Sequence, residues 1–201
     1  MNYMKSKASI THLLYLHGFR SSPQSMKAQK MAHWVHQLHP QVHWWCPQLP
    51  PSPKEAMALI NQGTKNWPLS QTAVVGSSLG GFYAQCFAAA TGCPSVLLNP
   101  AVEPARDLIH HVGTQQAWHD PAQSFYFQSN YVDELEALQN ALESTHSEVF
   151  AIVAKGDEVL DWREMTGHLP HAQIKLLPGS DHALSDFEDH QDDILNFLNL
   201  A

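Results

Sequence analysis

Short apolar runs alternate along the chain with longer stretches whose apolar residues recur every three or four positions, the pattern of βα units around a parallel sheet. Ile10 to Leu16 reads as the first strand. Ser22-Pro23 opens a helix to about Leu38, in which Met26, Lys30-Met31, Trp34-Val35 and Leu38 keep a helical period before Pro40 stops it. Val42 to Cys46 is the second strand. After it, within the Pro-rich turn Pro47 to Pro53, Ser52-Pro53-Lys54-Glu55 is a capping box with proline at the first helical position, predicting a helix to about Asn61. Thr72 to Val75 is the third strand, and Leu79 to Thr91, rich in alanine and small residues, is helical up to Gly92. Ser95 to Leu98 is the fourth strand, closed by Asn99-Pro100.

From Pro104 to about Asn130 no period holds, and Trp118, Phe125, Tyr126 and Phe127 stand among Gln, His and Pro. An irregular, lid-like excursion over about 104–130 is expected there. Tyr131 to Leu142 reads as a helix, Val149 to Ala154 as the fifth strand and Gln173 to Leu177 as the sixth. Ser185 to Glu188 makes a second capping box, opening a final amphipathic helix that carries Phe187, Ile194, Phe197, Leu198 and Leu200. No repeat or linker interrupts the series. It predicts a single α/β domain over 1–201, with about six mainly parallel strands in the order 2-1-3-4-5-6 and helices on both faces.

Composition agrees with that picture and removes some partners. At 201 residues, with 44% hydrophobic and 15% charged, the chain can bury a substantial core and is too apolar for disorder. A net charge of −8 with histidines neutral would repel a phosphate backbone, so nucleic acid is set aside; the 14 histidines make the charge less negative in mild acid. No apolar stretch approaches the roughly 18 residues that span a bilayer. The weakly basic start Met1 to Lys7, followed by apolar Ile10 to Leu16, has the outline of a signal peptide. Thr11 and His12 interrupt that run, however, and no small-residue cleavage site follows before His17-Gly18, so a buried strand explains it better. Cys46, Cys86 and Cys93 lack metal-type spacing and read as core or surface thiols in a reducing cytoplasm. His33 and His36, His168 and His171, and the adjoining His110-His111 have no tight Asp, Glu or Cys set beside them, so no metal or other cofactor is expected.

Gly76-Ser77-Ser78-Leu79-Gly80 matches G-x-S-x-G, a weak signal alone. Here a β-branched run precedes it and an Ala-rich helix follows, the strand–turn–helix of a nucleophile elbow. Such a turn strains its central residue, and Gly76, Gly80 and Gly81 provide the room it needs. Ser78 would also sit at a helix N-terminus, which favours developing negative charge. Ser77 holds the variable position and reads as structural.

A serine hydroxyl needs a base, and in elbow-bearing folds the partners follow in the order serine, acid, histidine. Leu177-Pro178-Gly179-Ser180-Asp181-His182 puts His182 in a loop directly after the sixth strand. His190 lies inside the predicted last helix and reads as a solvated face residue, and His168 and His171 precede the last strand. For the acid, Gly156-Asp157-Glu158-Val159-Leu160-Asp161 follows the fifth strand. Asp157 stands just past the turn glycine, at the carboxyl edge of the sheet. Asp161 reads as an N-cap, and Glu158 should point away by alternation. Asp157 would orient His182 and stabilise its imidazolium. Two backbone N–H groups would form an oxyanion hole: Leu79, directly after the serine, and Phe19, in the loop after the first strand. Gly18 permits close approach there, and His17 reads as a structural loop histidine.

With these residues in place the chain resembles the YqiA-like bacterial esterases of the α/β-hydrolase superfamily, almost end to end. The shared blocks are Leu13-Leu14-Tyr15-Leu16-His17-Gly18-Phe19 with Ser21-Ser22-Pro23, Pro47-Gln48-Leu49-Pro50-Pro51, Val75-Gly76-Ser77-Ser78-Leu79-Gly80-Gly81, Asn99-Pro100-Ala101, Gly156-Asp157-Glu158-Val159-Leu160-Asp161 and His182-Ala183. The resemblance implies an α/β-hydrolase fold and a metal-free hydrolase of carboxylic esters or acyl thioesters, with a triad on Ser78, Asp157 and His182. The Trp- and Gln-rich segment 110–130 departs from the family pattern, so no substrate detail is carried over. The expected partner is a small-molecule ester or thioester. A peptidase or carbon–carbon hydrolase shares the same triad, and a catalytically silent binding module shares the fold. The aromatics at 118–127 suit an acyl pocket or lid and equally a cover for the sheet's core. Acyl chain length, physiological substrate and oligomeric state have no sequence signal.

Overall fold

The computed structural model of the protein describes residues 9–118, 120, 122–142 and 147–200; the basic start Met1 to Lys7 lies outside them. Six strands form the main sheet: β1 (His12–Leu16), β2 (His43–Trp45), β3 (Thr72–Ser77), β4 (Ser95–Leu98), β7 (Val149–Ala154) and β8 (Gln173–Leu177). A separate antiparallel pair, β5 (Gly113–Gln116) and β6 (Ser124–Phe127), lies between β4 and β7 in sequence. The main sheet runs β2-β1-β3-β4-β7-β8 with every pairing parallel, which is the predicted 2-1-3-4-5-6 once the two hairpin strands are set aside.

Alternation along each strand feeds two cores, one per face. Leu13, Tyr15, Val75, Leu98 and Ile152 face α1 (Met26–Leu38) and α7 (Gln191–Phe197), which contribute Met31, Trp34, Ile194 and Leu195. Leu14, Leu16, Val74, Leu97 and Val153 face the other way, toward α2 (Pro53–Thr64) and α3 (Leu79–Thr91). Both faces of β3 are therefore covered, and all six of its residues are buried. The C-terminal ends of β1, β3, β4, β7 and β8 share one edge, where the loops that follow them meet.

Several elements differ from the sequence reading. The first helix begins at Met26 rather than at Ser22-Pro23, because the Ser22 hydroxyl accepts from Gln24 N–H (3.1 Å) and Ser25 N–H donates to the Ser22 carbonyl (3.0 Å), holding a turn. The segment 104–130 is more regular than predicted: it holds α4 (Pro104–Leu108), a 3₁₀ turn, the β5–β6 hairpin and the start of α5 (Ser129–Asn140). Ser185 does not cap the last helix; its N–H and O–H both donate to the Asp181 carboxylate, at 2.9 and 2.6 Å. A 3₁₀ turn over Phe187–His190 then precedes α7. His190, expected on a solvated face, is buried and accepts from Lys175 Nζ at 3.0 Å.

Candidate functional site

Only Ser78 separates the end of β3 from the start of α3. Its backbone takes φ 55° and ψ −122°, a conformation that costs a residue bearing a Cβ of order 1–3 kcal/mol. The kink is held from two sides: Ser78 N–H donates to the Leu98 carbonyl (3.0 Å), and its own carbonyl accepts from Gly81 (2.8 Å) and Ala101 (3.0 Å) N–H groups. Backbones crowd the turn so closely that a Cβ at Gly80 would lie 2.0 Å from the Leu16 carbonyl oxygen, and one at Gly76 2.1 Å from that of Gly80. Glycine is required at both for the turn to close.

The loop after β8 brings the His182 ring over this turn. His182 Nε2 lies 3.0 Å from Ser78 Oγ, and Nδ1 lies 2.7 Å from Asp157 Oδ2. The Asp157 side chain is fully buried, and its other oxygen accepts from the Val159 and Leu160 N–H groups, each at 2.8 Å. That occupation leaves Oδ2 for the imidazole. Because a carboxylate only accepts, Nδ1 carries the ring proton and Nε2 is left to accept from the Ser78 hydroxyl. Gly156 lets the acid turn and the histidine loop meet: a Cβ there would stand 2.2 Å from the Ser180 carbonyl oxygen.

Three further side chains hold the histidine loop, and the sequence reading assigned a role to none of them. Asn99, buried and at φ 41°, donates from Nδ2 to the Asp181 (3.0 Å) and His182 (3.3 Å) carbonyls while its Oδ1 accepts from Ala154 N–H (2.8 Å). The Asn99-Pro100 pair after a strand was a usable signal for a special backbone position. Lys27 of α1 donates from Nζ to the Ala183 carbonyl; burial pushes its ammonium down to about 8 against the pull of Asp181 and Asp157. Glu158 does not point away: its carboxylate accepts from His182 N–H at 3.1 Å. Asp161 caps α6 (Trp162–His168) by accepting from Arg163 N–H at 2.8 Å, as read from the sequence.

Leu79 opens α3, so its N–H belongs to the first helical turn, whose donors have no partner within the helix. The β1 loop runs past the serine, with a Cβ at Gly18 falling 3.2 Å from Ser78 Cβ. Phe19 follows, its ring meeting Phe125, Phe127 and His111 edge-on at 5.9, 5.2 and 5.5 Å between centroids. Buried His17 ties this loop to the Pro-rich turn, with Nε2 accepting from Leu49 N–H (3.0 Å) and Nδ1 lying 3.0 Å from the Gly18 carbonyl oxygen. A cleft of about 540 Å³ opens over Ser78 and His182, bounded by Phe19, Leu79, Leu160 and Trp118. A second hollow of about 460 Å³ adjoins it across Phe19 and Leu79 and is lined by Gln48, Leu49 and Phe125. The hairpin aromatics thus divide: Phe127 is buried in the core, Phe125 and Trp118 line hollows, and Tyr126 faces solvent.

Burial pushes the Cys46 and Cys86 thiols up to about 12 and Cys93 to about 11, which keeps them protonated and poorly nucleophilic. Among the described residues no three His, Cys, Asp or Glu side chains gather as a metal would require, and no helix is long and apolar enough to cross a membrane.

The fold recurs in proteins of distant sequence. Est1E of Butyrivibrio proteoclasticus, with ferulic acid bound, superposes with a TM-score of 0.73 at 12% identity, over 95% of this chain and 90% of that one. Mouse alpha/beta hydrolase domain-containing protein 10 gives 0.71 at 13%, over 93% and 90%. The Pyrococcus furiosus esterase Pf2001 gives 0.64 at 14%, over 96% and 82%. At such identities the likeness establishes the α/β-hydrolase fold. In sequence, residues 12–199 match the uncharacterised protein family UPF0227. With that match over nearly its whole length, and with the blocks it shares with the YqiA-like proteins, the chain belongs to UPF0227, the YqiA-like family of α/β-hydrolase fold.

Proposed function

We propose that the protein is a serine esterase that hydrolyses carboxylic esters, and acyl thioesters by the same route, through an acyl-enzyme on Ser78. The observation that carries this reading is the continuous hydrogen-bonded line from Ser78 Oγ through the His182 ring to buried Asp157. As Ser78 Oγ attacks the carbonyl carbon, its proton passes to His182 Nε2, and Asp157 stabilises the imidazolium across Nδ1–H. Charge that develops on the carbonyl oxygen is met by the Phe19 and Leu79 N–H groups; one such donor is typically worth about 10²–10³ in rate. His182 then hands its proton to the leaving alcohol or thiol. Water, deprotonated by the same nitrogen, releases the acid and restores Ser78.

Fluorophosphonate labelling tests this directly. The reagent is expected to add one phosphonyl group, located on Ser78 by peptide mass analysis, and an activated ester is expected to give an acyl-enzyme burst. Labelling confined to another residue, with no burst, would overturn the reading.

In this scheme Asn99 acts as a positioning residue for His182. Asn99→Asp keeps an acceptor for Ala154 N–H but loses both donors to the histidine loop, so kcat for an activated ester should fall about 10²-fold with a small change in KM, the cost of a misplaced base. Asn99→Ala also strands the Ala154 N–H and should destabilise the fold by about 1–3 kcal/mol, read from denaturant midpoints. A wild-type kcat in Asn99→Asp would remove Asn99 from the mechanism.

A further inference from the structure

Arg20 stands at the rim of the cleft, in the loop after β1. It lines both the hollow over Ser78 and the adjoining one. Its backbone has φ 60°, a conformation uncommon outside glycine and most informative near functional sites. The guanidinium is fixed in orientation. Nε–H donates to the Gln116 carbonyl (2.6 Å), Cζ lies 4.1 Å from the centroid of the Trp118 ring, and the Trp118 backbone N–H donates back to the Arg20 carbonyl (2.8 Å). Trp118 is itself 69% exposed, so this pair forms part of the rim rather than the core.

What the guanidinium lacks is a carboxylate. Among the described residues none lies within ion-pair distance of Arg20, and its two terminal nitrogens have no acceptor. Arg106, the other cation bordering the cleft, is taken up by Asp107 and by a two-pronged pair with Glu164 at 3.0 and 2.6 Å. Asp107 is the carboxylate of the lining, and Arg106 holds one of its oxygens. In a chain of net charge −8, an oriented guanidinium lining the same cleft as Ser78, with a free pair of N–H-bearing nitrogens, is a cation without a counter-charge among the described residues. Its free end matches the two oxygens of a carboxylate or phosphate.

We propose that Arg20 is a specificity residue that selects esters carrying an oxyanion, a carboxylate or a phosphate, in the acyl or the alcohol half. The proposal rests on the serine-esterase reading for its kinetic readout and on Arg20 itself for its binding readout. Four substrates separate the sources at constant ionic strength: phenyl butyrate as the neutral reference, phenyl hemisuccinate, 4-carboxyphenyl butyrate and the butyrate ester of 4-hydroxyphenyl phosphate. At least one anionic ester is expected to exceed the neutral one in kcat/KM. Arg20→Gln should lower that ratio about tenfold or more, as loss of a charged hydrogen-bonded pair does, while Arg20→Lys should keep part of it. In parallel, succinate and inorganic phosphate are titrated against Trp118 fluorescence, with Trp118→Phe to assign the signal and Arg20→Gln to assign the binding. A ratio that does not change in Arg20→Gln overturns the proposal. If Ser78 takes no label and no ester is cleaved, the esterase reading fails by itself. The fluorescence titration then decides the anion site, and the absence of an Arg20-dependent change overturns it.

Discussion

Replacing Ser78 by alanine is expected to lower kcat for an activated ester by on the order of 10⁶, the loss seen when the nucleophile of a serine–histidine pair is removed. The size follows from the arrangement. Ser78 Oγ is 3.0 Å from His182 Nε2, and without that oxygen the imidazole can only assist water from an unsuited position, leaving the proposed oxyanion donors and binding to act alone. The same reasoning makes the pair non-additive: His182→Ala should cost nearly as much, and the double variant little more than either. Stability supplies an independent reading of the elbow. Ser78→Ala keeps a Cβ at φ 55°, whereas Ser78→Gly removes the penalty, so the glycine variant should be the more stable by about 1 kcal/mol in denaturant midpoints while being equally inactive. A kcat within tenfold of wild type in Ser78→Ala would end the serine-esterase reading.

Particular residues explain how far the sequence could be read. β4 and β7 begin and end where the apolar runs do, because interior parallel strands covered on both faces must be apolar almost throughout; β8, at the sheet edge, shows the mixed pattern Gln173-Ile174-Lys175-Leu176-Leu177 and was bounded by its flanking turn residues. α3 was equally plain, as Gly92 ends it at φ 75°. The last helix was not, since the Ser185 side chain had a competing acceptor in Asp181, and capping boxes are decided by which partner wins. His190 fell on the wrong face for a related reason: a 3₁₀ turn advances three residues per turn instead of 3.6, so the helical phase drawn from Phe187 to His190 slips. Glu158 was placed by strand alternation, which stops applying once the chain leaves β7 at Ala154. The β5–β6 hairpin had no pattern to show, because Gly113-Thr114-Gln115-Gln116 buries no apolar side chain. In the site, Ser78 is marked by neighbours in sequence. The fastening of His182 runs through Asn99, whose partners lie 55, 82 and 83 residues away, and no local pattern encodes such a contact.

Asp157→Asn should cost about 10⁴ in kcat while leaving the fold in place, because it changes one atom's hydrogen-bonding sense and nothing in volume. At present Oδ1 accepts from Val159 and Leu160 N–H and Oδ2 faces His182 Nδ1. An asparagine can keep its oxygen toward the two backbone donors only by turning its NH₂ to the imidazole. Nδ1 must then accept, the ring proton moves to Nε2, and that nitrogen can no longer take the proton of Ser78. The opposite rotamer restores the histidine tautomer but drives the NH₂ into two N–H groups 2.8 Å away, with the side chain itself fully buried. Either way the base is lost. The tautomer offers a check beside the rate: ¹⁵N shifts of the His182 ring should report Nδ1–H in the wild type and Nε2–H in Asp157→Asn. A variant that keeps both Nδ1–H and a kcat within tenfold of wild type would show that Asp157 fills space beneath the imidazole without fixing its proton.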